Sequence, residues 1–139
     1  MATWSDVRKI ALALPGTSED RSRDHAAWLV NKKFFVWERP LRKSDLAALG
    51  ERAPKGAVLG VRTADLEMKD VLIAHDPRVY FTIPHFDGYP AVLVLLEKIS
   101  SKELQRVVRE AWLARASTRA VKEFLQEPRK RAGRKKSRA

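Results

Sequence analysis

An α+β fold is what this sequence predicts: a single antiparallel β-sheet packed against N- and C-terminal α-helices, followed by a disordered basic tail. Three observations carry it. Short extended segments in the first half are joined by a hairpin-length link, Asn31-Lys32. The two ends of the chain show helical apolar periodicity. The unbroken apolar run at 91–96 reads as a central strand covered on both faces. A sheet of about four to six strands, flanked on one side by helices, follows from this pattern.

In chain order, Thr3 caps a helix over 3–14, with Asp6 near the positive end of its dipole. Trp4, Val7, Ile10, Ala11 and Leu14 share one face, and Pro15-Gly16 ends the helix. Strands at 27–30 and 33–37 flank the Asn31-Lys32 turn, and Arg39-Pro40 stops the second. A short helix at 44–49 closes on Gly50, and Lys55-Gly56 leads into a strand at 57–62. Asp65 caps a further short helix running to about Ala74, broken by Asp76-Pro77. A strand at 79–83 precedes a loop of turn residues from Pro84 to Pro90. Ser100 and Glu103 form a capping box for a helix to Ala116, with Leu104, Val107, Val108 and Ala111 as its apolar stripe. Ser117 or Thr118 restarts a last helix through Ala120, Val121, Phe124 and Leu125, and Pro128 ends the fold. The buried core is expected at Val7, Ile10, Leu14, Val92, Val94, Leu104, Val108 and Phe124. The domain therefore spans 1–127 and the tail 128–139.

A chain of 139 residues suits one domain that folds without a metal or disulfide. The absence of cysteine excludes disulfides, thiolate nucleophiles and cysteine-ligated metal. The opening residues have no basic segment ahead of an apolar run, so the cytoplasm is the expected location. The apolar run at 91–96 is far too short to span a bilayer, and no amphipathic or lipidated segment suggests a membrane partner.

The net charge is +11 and unevenly spread. Arg129, Lys130, Arg131, Arg134, Lys135, Lys136 and Arg138 crowd into 129–138 without an acid. With these seven set aside, 21 basic residues face 17 acids, leaving the body at +4. Having no apolar side chain larger than alanine, the tail cannot offset its own ordering entropy. Such an arm can neutralise phosphates and release counterions, reading backbone rather than base sequence. The alternative is a merely solubilising extension. Arg115, Arg119 and Lys122, with Lys102, Arg106 and Arg109, form a second basic set on the terminal helices. Glu103 and Glu110 dilute that set, and a solvated helix face is the preferred reading of it.

The loop residues His85, Asp87 and Tyr89 are the one candidate for a ligand site. A histidine beside a carboxylate suits a general base or a metal ligand, although Asp87 and Gly88 also fit as plain turn residues. There is no paired-histidine metal motif, no phosphate-binding glycine loop, and no assembled nucleophile, base and orienting group. No catalytic residue, metal or cofactor is assigned. Trp28, Trp37 and Trp112 sit in apolar patterns and are expected in the core; exposed on the sheet, one could stack on a base.

Several pieces, taken in order, carry a family resemblance. They are Ala11-Leu12-Ala13-Leu14-Pro15-Gly16, then Arg39-Pro40-Leu41-Arg42-Lys43-Ser44-Asp45-Leu46. Phe81-Thr82-Ile83-Pro84-His85-Phe86-Asp87-Gly88-Tyr89-Pro90 follows, and then Glu110-Ala111-Trp112-Leu113-Ala114-Arg115-Ala116. From Trp4 to Phe124 the chain resembles the MmcQ/YjbR family. The resemblance implies a frataxin-like fold and DNA binding, the activity usually attached to that family. Frataxin-type iron binding does not carry over, because Asp6 is the only acid before Gly16. The reading is a non-catalytic DNA-binding protein of weak sequence specificity, a monomer or weak dimer. Its rival is a small-molecule-binding domain with a site near the His85 loop.

Overall fold

The N-terminal helix starts where its side chains close a reciprocal cap. Thr3 Oγ1 accepts from the Asp6 N–H at 3.2 Å, and Asp6 accepts from the Thr3 N–H at 2.9 Å. This box opens α1 (Trp4–Ala13). The computed structural model describes residues 2–21 and 25–135, with side chains through 126 apart from that of residue 52.

Six strands form one sheet: β1 (Thr17–Asp20), β2 (Ala27–Val30), β3 (Lys33–Glu38), β4 (Val58–Arg62), β5 (Tyr80–Phe81) and β6 (Ala91–Leu95). Their spatial order is β1-β2-β3-β4-β6-β5, and every pairing is antiparallel. The β2–β3 hairpin turns on Asn31 and Lys32 at φ of 54° and 63°, the left-handed pair that matches strand twist. The edge strand β1 was not foreseen. Its sequence, Thr-Ser-Glu-Asp, has no apolar alternation to announce it. At the other edge β5 is shorter than the strand expected at 79–83, because Ile83 leaves the ladder to enter a second core before Pro84.

Four of the helices carry their own start signals or follow directly from one that does. Asp65 accepts from the Met68 N–H at 2.8 Å to open α3 (Leu66–His75). Ser100 accepts from the Glu103 N–H at 3.1 Å to open α4 (Ser101–Arg115). α2 (Lys43–Leu49) begins where Asp45 accepts from the Arg42 N–H at 2.9 Å. α5 runs from Thr118 to Lys135 and so continues past Pro128, where the sequence reading ended the fold and began a disordered tail. The arginine, lysine and alanine around Pro128 are good helix formers, and the proline removes a single N–H donor. Residues 136–139 lie outside the described part.

Strand alternation sorts the core into two. Leu59, Val61, Val92 and Val94 face α1 and α4, meeting Val7, Ala11, Leu104, Val108 and Trp112. Val58, Leu93 and Leu95 face the other way and pack with Ile83 and Phe86, flanked by Trp37, Leu41 and Leu49. β6 is accordingly buried on both faces, as its apolar run predicts. Val7, Val92, Val94, Leu104 and Val108 are buried as expected, whereas Ile10, Leu14 and Phe124 are only half-buried at the rim of the helix-side core. Helices on one face alone is the expectation that fails. The outer face is apolar over β4 and β6, and it is covered by α2 and a 3-10 turn (Pro84–Phe86).

Candidate functional site

The outer face is not covered all the way across, and the uncovered part is aromatic. Trp37 of β3 lies opposite Gly60 of β4. A Cβ at position 60 would stand 2.5 Å from the Trp37 Nε1, so the indole can lie against that strand only because residue 60 is glycine. The ring centroid of Phe86 is 6.3 Å from that of Trp37 and 6.0 Å from that of Tyr89. His85 meets Phe86 edge-on at 5.0 Å.

Between this aromatic row and the start of β3 opens a cavity of about 410 Å³, lined by Lys33, Phe34, Trp37, His85, Phe86, Tyr89 and Arg115. An adjoining hollow of about 300 Å³ shares Phe34, Trp37, His85 and Phe86 and reaches Asp20, His25, Glu38 and Arg42. The two make one groove. His25 and His85 both line the smaller hollow, a meeting that nothing in their spacing announces. No hydrogen bond joins His85 to Asp87, so the histidine–carboxylate pairing considered for the loop is not assembled.

Three basic side chains fix the groove. Lys69 of α3 is buried, and its Nζ donates to the carbonyls of Phe86 at 2.6 Å and Tyr89 at 3.0 Å. Burial pushes its pKa down, an effect partly offset by Asp87 and Asp70. Arg39 sits 5.5 Å over the Phe86 ring and donates to Asp45 at 3.1 Å, both side chains being nearly sealed from solvent. Burial alone would raise the Asp45 carboxyl, but the Arg42 N–H and the Arg39 guanidinium outweigh it and hold the group below the usual carboxylate range. Arg115, at the end of α4, donates from Nε to the Phe34 carbonyl at 3.2 Å and from Nη2 to the Tyr89 hydroxyl at 3.0 Å. Arg62 lies 5.5 Å over the Tyr89 ring. None of Lys69, Arg39 and Arg62 is among the site residues expected from sequence, where Arg39 enters only as a strand stop and in the family motif. A lysine inside an otherwise ordinary helix and an arginine before a proline carry no local sign of the contacts they make.

The residues that were singled out divide clearly. His85 and Tyr89 line the groove, Asp87 is exposed beside it, and Arg115 joins them. Arg119 is exposed and paired with Glu123 at 3.1 Å within its own helix, and Lys122 is exposed. Arg106 binds Glu103, and Arg109 stacks over Phe124. Arg129, Lys130, Arg131, Arg134 and Lys135 fall on the last turns of α5, but their side chains lie outside the described residues, as do Lys136 and Arg138 altogether. Trp28 and Trp112 are buried, their indoles donating to Glu19 and to the Pro15 carbonyl. Trp37 is the one drawn to the outer face.

A six-stranded antiparallel sheet, backed by α1 and α4 and bearing an aromatic groove rimmed by cations, defines the class: an α+β domain with a ligand-sized groove on its outer sheet face. The YjbR family model matches residues 12–114, and the chain belongs to the YjbR family. It is 50% identical over 128 residues to the uncharacterized protein Rv2570 of Mycobacterium tuberculosis, a match covering 90% of this chain and 97% of that one. The uncharacterized protein Mb2600 of Mycobacterium bovis matches to the same extent. Among solved structures, the Deinococcus radiodurans protein DR2400, which carries a DUF419 domain, superposes with a TM-score of 0.63 at 17% identity, covering 91% of this chain and 89% of that one. That likeness concerns the fold.

Proposed function

We propose that this protein is a non-catalytic nucleic-acid-binding protein, acting on DNA through phosphate contacts and with weak sequence specificity. One observation carries the reading: Arg115, from the basic set on the terminal helices, is hydrogen-bonded to Tyr89, from the loop set, at 3.0 Å. Two features singled out for different reasons thus share one surface. Along the chain the basic set continues from Arg115 through Arg119 and Lys122 to the acid-free stretch at 129–138. Cations along such a path can follow a phosphate backbone, and contacts of this kind carry no base information. The frataxin-like relationship, the cytoplasmic location, and a monomer or weak dimer belong to the same reading.

The groove beside His85 also favours the rival, a small-molecule site, since about 410 Å³ falls within the roughly 300–1,000 Å³ of small-ligand pockets. Fluorescence anisotropy with labelled duplex DNA separates the two. Arg115→Glu should weaken duplex binding by the loss of at least one phosphate contact, whatever the sequence of the duplex. Duplex binding absent in the unaltered protein near physiological salt would reject this reading in favour of the rival.

A further inference from the structure

We infer that the groove between Trp37 and the His85–Tyr89 segment is a subsite for a single unpaired nucleobase, with its flanking phosphates held by Lys33 and Arg115. This inference rests on the nucleic-acid reading and sharpens it. It makes the preferred ligand a single strand, or a duplex with an opened or looped-out base, rather than intact duplex.

The chemistry points there in three steps. First, the lining is aromatic: Phe34 and Trp37 from β3, with Phe86 and Tyr89 from the loop beside them. Aromatic faces of this kind hold a base by stacking and tolerate any base, because every base has a π-face. Bases inside an intact duplex stack on one another and offer no face to such a wall. Second, the larger cavity is lined by two cations, Lys33 and Arg115, and by no acid, whereas the adjoining hollow sets Asp20 and Glu38 against Arg39 and Arg42. A phosphate is therefore favoured beside Lys33 and Arg115, and the neutral base extends toward Trp37 and His85. Arg115 spends Nε on Phe34 and one Nη2 donor on Tyr89, and its remaining N–H donors make no bond among the described residues. Third, both walls are held in place before any ligand arrives. Lys69 bonds two loop carbonyls, and Gly60 leaves the room in which Trp37 lies. Groups already fixed lose little freedom on binding.

The test uses the full-length chain with a thymidine oligonucleotide, a duplex of mixed sequence, and thymidine monophosphate. The single strand should bind more tightly than the duplex and quench tryptophan emission, and Trp37→Leu should abolish that quenching. Phe34→Ala should weaken single-strand binding by about 5- to 160-fold while leaving duplex affinity unchanged, as expected for one lost base stack. Phe34→Ala is the check should Trp37→Leu fail to fold, with urea denaturation confirming its integrity. Equal affinity for both polymers, with Phe34→Ala affecting neither, would overturn the subsite. If Arg115→Glu then still weakened both polymers, the phosphate-binding reading would survive that loss. Thymidine monophosphate binding as tightly as the oligonucleotide would equally overturn it, marking the groove as a small-molecule site. Failure of both polymers to bind would remove the underlying reading and the subsite together.

Discussion

Trp37 lies against Gly60 across the β3–β4 ladder, in space that any side chain at position 60 would occupy. The glycine places the indole on the outer sheet face and holds it toward the Phe86 ring. A residue that weakens a strand by itself thereby shapes the groove wall.

Gly60→Ala should consequently expel or tilt the indole. The overpacking should cost about 1–3 kcal/mol in urea denaturation. Ligand binding at the groove should weaken with it. Unchanged stability together with unchanged tryptophan emission would mean that Trp37 does not rest on Gly60.

Lys69→Met should release the loop that carries His85 and Tyr89. The methionine keeps the stem but loses the ammonium's bonds to the Phe86 and Tyr89 carbonyls, at about 1.5–3 kcal/mol for each charged hydrogen bond, while the Tyr89 and Ala91 N–H groups still donate to those carbonyls. Hydrogen exchange should speed up at the amides of residues 84–90 more than in β6. Uniform protection in the variant would show that the lysine does not position the loop.

Asp45 should make stability depend on pH in the acid range. Its carboxyl is held below the usual range, so it contributes fully above its unfolded value of about 3.9 and loses that contribution as pH falls through the lower folded value. Asp45→Ala should cost about 3–5 kcal/mol at neutral pH by stranding the buried Arg39. The gap between the two proteins should narrow as pH drops below about 4. A gap that stays constant across that range would remove the Arg39–Asp45 pair from the account.

Much of the scaffold was legible because its causes are local. The box at Thr3 and Asp6, the cap at Ser100, the Asn31-Lys32 turn and the doubly buried β6 each announce themselves within a few residues. What stayed hidden depends on partners far along the chain. β1 is polar and gains its place by pairing with β2 and by Glu19 accepting from the Trp28 indole at 3.0 Å. The groove is hidden for the same reason. His85 and Tyr89 could be picked out as loop residues. The Gly60–Trp37 packing, the Lys69 contacts and the meeting of Arg115 with Tyr89 span between 17 and 26 residues of chain, with no spacing rule to reveal them. Past Pro128, helix propensity and the proline's missing donor pull in opposite directions, and local rules do not decide between them.

Salt-dependent binding to duplex DNA tests the central claim, that phosphate contacts through the basic end of the chain hold nucleic acid. The comparison is between the full chain and one ending at Glu127, on two unrelated duplexes at several salt concentrations. Each phosphate neutralised contributes about −0.9 to the log–log slope, so an arm touching three or four phosphates should steepen the full-length slope by roughly 3. The same change is predicted for both duplexes, because phosphate contacts carry no base information. An unchanged slope, with affinity intact in the shortened chain, would contradict the claim.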